Sequence, residues 1–231
     1  MLPLLMPDTL ANPELLRALG RLVRGLSALF WGLPAALIVC IGTATAGWFK
    51  AFSIVPALGA TGLLLFGLWQ IGAFQKQERS WRTALDRARL IGLVNFFLCP
   101  FLYWWNKMPD QPFFTLVVVV LAVSGLLFVF NLNLVLARLG EMLPDETLRQ
   151  ETRQFTAVNR GLLVVLLVLA ATYVFLLQMP HQPVTLLLLM LRLERVGQWS
   201  LLMLGLLPLS LTMALLWKTK EVILESVFGS K

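Results

Sequence analysis

The side chains of this sequence best suited to ligate a metal or relay protons are one histidine, two cysteines and twelve carboxylates. His181 sits in a Pro-His-Gln-Pro turn with no second ligand near it in sequence, whereas a metal centre needs three or four converging donors. Haem held between helices would want His or Met pairs. Cys40 and Cys99 each lie inside an apolar run and read as small packing residues, not as a disulfide. There is no glycine-rich phosphate loop and no paired nucleophile and base. An enzyme, a bound cofactor and a metal centre are therefore not expected.

The elements around these residues explain the poverty of chemistry. Phe113–Phe130 reads FFTLVVVVLAVSGLLFVF, free of charge, proline and histidine. At about 1.5 Å rise per residue, it and the apolar residues up to Leu136 cross a hydrocarbon layer roughly 30 Å thick. Only a helix satisfies such a backbone in lipid. Across the chain 58% of residues are hydrophobic and 13% charged, about half the charge of a soluble domain. The fold class is thus an all-α integral membrane protein. A six-helix bundle is expected, with spans at about 26–48, 51–74, 90–105, 113–136, 161–179 and 199–217.

Flanking segments fill in the rest. Asn12-Pro13-Glu14 is a helix-start signal. Beyond it Leu15, Leu16, Leu19, Leu22, Val23 and Leu26 share one face, opposite Arg17, Arg21 and Arg24. That pattern predicts an N-terminal interfacial helix over 1–25, arginines toward anionic headgroups. Residues 218–231 form a tail. Val184–Gln198 is too short and too charged at its end to cross, and is expected to be re-entrant or interfacial. The stretch 75–89 should be a helical extension of the third span. The stretch 137–160, with its mixed signs, should be a solvated surface.

Charge sets the orientation. With the N-terminus inside, 15 of the 19 Lys and Arg are cytoplasmic, and only Lys50, Lys107, Arg192 and Arg195 lie outside. This positive-inside distribution explains the net charge of +7 better than nucleic-acid binding does. Both termini are expected in the cytoplasm, in a bacterial inner membrane.

No ionisable group falls in the centre of a predicted span, where proton relays, ion-coupled carriers and voltage sensors place them. What remains is binding. Arg79, Arg82, Arg87 and Arg89, with Arg149, Arg153 and Arg160, are candidates for docking a cytoplasmic partner. Gly42 and Ala46 form a small-xxx-small pair, and Asn95, Asn131 and Asn133 are the intramembrane amides; all five are candidates for helix packing. Trp81 stands apart from the other tryptophans, which fall near span ends as aromatic belts do. Met108–Pro112 and Met179–Pro183 echo each other at the outer turns of two hairpins, which suggests a duplicated hairpin.

The expected function is a non-catalytic multi-pass membrane subunit that anchors or assembles a complex, with the lipid bilayer and other protein subunits as partners. The alternative is the membrane component of a transporter energised by a separate ATPase. The arrangement of spans resembles exporter permeases that dock an ATPase, and the six-span vitamin-binding subunits of energy-coupling-factor transporters. Both likenesses are at the level of architecture, without a shared motif.

Overall fold

The computed structural model describes residues 13–45, 53–74, 78–142, 146–177 and 205–225. Helices make up nearly all of these. In chain order they are α1 (Pro13–Thr45), α2 (Val55–Ile71), α3 (Arg79–Leu98), α4 (Phe101–Lys107), α5 (Pro112–Met142), α6 (Glu146–Leu177) and α7 (residues 205–225). No strand occurs among the described residues. Among the described residues four stretches are long and apolar enough to cross a membrane: Leu16–Ala44, Arg79–Lys107, Pro112–Met142 and Thr152–Leu169. Such a set of apolar helices is that of a multi-pass membrane protein.

α1 runs unbroken through Pro34 for 33 residues, about 50 Å. Of the segment expected to be an interfacial helix over 1–25, residues 13–25 are the first turns of α1 and residues 1–12 lie outside the described residues; Leu22 and Leu26 of that apolar face are fully buried against protein. α2, at 17 residues and about 26 Å, is shorter than the span expected over 51–74. Pro56 falls in its first turn, where a missing N–H costs nothing. From Arg79 the basic segment runs without a break into the span expected over 90–105 as one helix, α3, which ends at Leu98; residues 75–77 lie outside the described residues. Past Cys99 and Pro100 the chain resumes as α4, which carries it to Lys107.

The core joins the first two helices to the later ones. Leu22, Leu26 and Leu29 of α1 meet Leu64, Leu68 and Ile71 of α2, Trp81 and Leu85 of α3, Leu132, Leu136 and Leu139 of α5, and Leu216 of α7. Trp81 is wholly buried in this cluster. Its place on a basic helix hid that role, because Arg82 and Arg87 point the other way, to the surface.

α1 and α2 approach closely, and the approach rests on glycines. A Cβ built on Gly25 would lie 2.8 Å from the Gly67 carbonyl oxygen, and one built on Gly67 would lie 3.0 Å from the Gly25 oxygen. Gly32 faces Leu64 one interval further along. Small residues are what let two membrane helices bring their backbones together. The expected pair, Gly42 and Ala46, is placed otherwise: Gly42 is half-buried and Ala46 lies outside the described residues. The stretch Val184–Gln198 and the turn Met179–Pro183 lie outside them too.

Candidate functional site

Three amides were expected to join helices, and the structure separates them. Asn95, on the buried face of α3, receives the Ser124 hydroxyl of α5 on its Oδ1. Its own Nδ2 reaches the Ser124 carbonyl at 3.5 Å. Asn133, on α5, is wholly buried and donates to Thr212 of α7 at 2.9 Å and to its own Val129 carbonyl at 2.8 Å. Asn131 returns to the Leu127 carbonyl of its own helix at 2.8 Å, on the outer face, so it is not seen joining helices.

The hub of this network is a residue the sequence reading passed over. Asn159 of α6 donates to Asn133 Oδ1 at 3.0 Å, to the Pro208 carbonyl at 3.2 Å and lies 2.9 Å from Thr212 Oγ1. Thr212 donates in turn to Pro208 O at 2.7 Å. One buried cluster therefore ties α5, α6 and α7 together. Asn159 went unnoticed because it stands beside Arg160 in a segment of mixed charge. The spacing Thr152, Thr156, Asn159 was the available signal: it repeats at i, i+4 and i+7, one face of a helix. That face is buried, and the expectation of a solvated surface over 137–160 fails there.

Two further side chains close helix ends. Asn106 of α4 donates to the Thr43 and Ala44 carbonyls at 2.9 Å each, in the last turn of α1. Arg89 of α3 donates to Leu68 O at 3.2 Å, near the end of α2, and pairs with Asp86 at 3.4 Å. A cation at a helix C-terminus also meets the negative end of the helix dipole. Gly72 makes room for it, since a Cβ there would fall on the guanidinium. Arg89 is thus held against the bundle, which reduces its availability to a partner.

The other basic candidates lie outward. Arg79, Arg82 and Arg87 are exposed on α3, as are Arg153 and Arg160 on α6. Arg160 stacks over the Phe130 ring at 5.3 Å. Of the Arg149 side chain nothing is described. On α3 the exposed arginines stand away from the buried Trp81, Leu85 and Ala88; on α6 Arg153 and Arg160 flank the buried Thr152, Thr156 and Asn159. These two buried faces match at a fixed interval, the one separating Met108 from Met179. Gly92 and Asn95 pair in the same way with Leu163 and Leu166. The register of the suspected duplication is therefore also the register of burial.

Among the described residues no three His, Cys, Asp or Glu side chains converge on a metal position. Cys40 and Cys99 are both free thiols; Cys99 is buried, 3.4 Å from Thr61 Oγ1. The fold and these junctions define a helical membrane protein whose polar groups join helices. The chain matches no family model, no curated protein and no solved structure.

Proposed function

We propose that this chain is a non-catalytic, six-crossing subunit of a membrane protein complex, with both termini in the cytoplasm of a bacterial cell and its basic helices serving as docking faces. The observation carrying this reading is that Arg79, Arg82 and Arg87 project from a helix whose opposite side is locked into the core by Trp81 and Leu85. Arginines on a fixed helix face form a preorganised surface, which lowers the ordering cost of binding. In this arrangement α1 is longer than the bilayer core, and its end bearing Arg17, Arg21 and Arg24 stands at the inner headgroups.

Co-purification after gentle solubilisation tests the reading. Wild-type chain should recover a partner in fixed stoichiometry. The triple charge reversal of Arg79, Arg82 and Arg87 to Glu should lower that recovery at least tenfold at physiological salt while leaving the unfolding midpoint within about 2 °C, as exposed substitutions do. Recovery of an ATPase would turn the reading to transport. A lone chain that turns over a lipid would refute it.

Topology has its own expected outcome. In a background lacking Cys40 and Cys99, a cysteine at Asp110 should label with an impermeant thiol reagent applied outside. One at Glu78 should label only after the membrane is opened. The reverse pattern would invert the orientation and move the basic faces away from the cytoplasm.

A further inference from the structure

Thr152, Thr156 and Asn159 are 2%, 5% and 0% exposed, and each has a side-chain oxygen with no hydrogen-bond partner among the described residues. Other threonines on these helices behave differently. Thr43, Thr61, Thr83, Thr172, Thr212 and Thr219 each turn the hydroxyl back onto the carbonyl four residues earlier, at 2.7–2.9 Å. Thr152 and Thr156 hold theirs away from that default. Asn159 has no freedom to reverse its amide, because Asn133 Oδ1 and Pro208 O accept from its nitrogen and have no proton to give. Its Oδ1 is therefore left aimed elsewhere.

The three groups occupy one face of α6 within two turns, and side chains a turn apart on a helix are about 5–6 Å from each other. That is the length of two hydrogen bonds of about 2.8 Å end to end. A water placed between each successive pair would donate to Asn159 Oδ1 and exchange donors and acceptors with the hydroxyls. Gly140 of α5 lies beside Thr152, where any larger side chain would crowd it. We infer that a file of ordered water runs along α6 from Thr152 through Thr156 to Asn159 and completes the amide–hydroxyl cluster between α5, α6 and α7. Buried waters are retained where they meet two or more otherwise unpaired polar groups, and this face supplies them. A junction bridged by water can also re-pair after a small slide of α6, which a direct contact cannot.

The test is the unfolding midpoint of the full chain in detergent, read for Thr156→Val, Thr156→Ser and Thr152→Val. Thr156→Val keeps the shape and removes the hydroxyl. With the water file present it should lower the midpoint by about 2–4 °C for each partner lost, and Thr156→Ser should restore most of that. The double variant Thr152→Val with Thr156→Val should fall short of the sum, since either change already removes the water between them. A Thr156→Val protein as stable as wild type, or more so, would show a dry, unpaired hydroxyl and overturn the inference. So would a midpoint that depends on sodium rather than potassium, which would assign these oxygens to a cation. If Thr156→Val fails to fold, density for water between these oxygens in a high-resolution structure decides: its presence supports the file, and its absence ends it.

Discussion

Gly25→Ala should destabilise the protein by about 3 kcal/mol, at the upper end of what one inserted methyl costs in a packed interior. The added carbon would stand 2.7 Å from Ile71 Cγ1, 2.8 Å from the Gly67 carbonyl oxygen and 3.0 Å from the Ile71 nitrogen. A side chain can rotate away; the two backbone atoms cannot. α1 must therefore back off from α2 along the whole crossing, and the contacts of Leu22, Leu26 and Leu29 with α2 loosen with it. Gly67→Ala should behave similarly, since its Cβ meets Leu29 and the Gly25 oxygen. Gly20→Ala and Gly59→Ala are the controls. Nothing lies within 4 Å of either new carbon, so the higher helix propensity of alanine should leave them neutral or up to about 1 kcal/mol more stable. Denaturant midpoints in one micelle system would rank the four. Equal costs at Gly25 and Gly20 would mean the helices do not cross there.

Asn159→Leu carries the second large effect, about 2–3 kcal/mol, against less than about 0.5 for Asn131→Ala. Interhelical hydrogen bonds in membrane proteins average only about 0.6 kcal/mol, so the bonds themselves do not produce this cost. It comes from Asn133 Oδ1, which is wholly buried and accepts from Asn159; without that donor it is left bare. Pro208 O keeps Thr212 as a donor and suffers less. Replacing Asn133 together with Asn159 by leucine should recover part of the loss, because a network removed whole leaves fewer orphans than one removed in half. The measurement is again the unfolding midpoint. A double variant worse than the sum of its singles would mean the two amides do not act as a pair.

Composition and hydropathy made the class of this protein legible, and periodicity located most helices. Where the reading went astray, a face taken as solvated was buried by protein. Trp81 and Asn159 sit among charges, yet a helix turns its opposite face inward within two residues. Small-xxx-small pairs recur too often to say which one is used: Gly25 and Gly67 are far apart in sequence, and only their meeting distinguishes them from Gly42. Asn95 and Asn133 were legible because an amide in a span has few other reasons to be there. Asn131, two residues from Asn133, faces outward simply because a helix advances about 100° per residue.

The closures of α1 and α2 set an order on how the chain can be made. The carbonyls of Thr43 and Ala44 receive Asn106, and the carbonyl of Leu68 receives Arg89, each from a helix synthesised later. A nascent chain that stops short of Asn106 carries two helices that already fit each other at Gly25 and Gly67, while the Thr43 and Ala44 carbonyls at the end of α1 still lack that donor; Leu68 O already accepts from the Gly72 N–H at 3.2 Å.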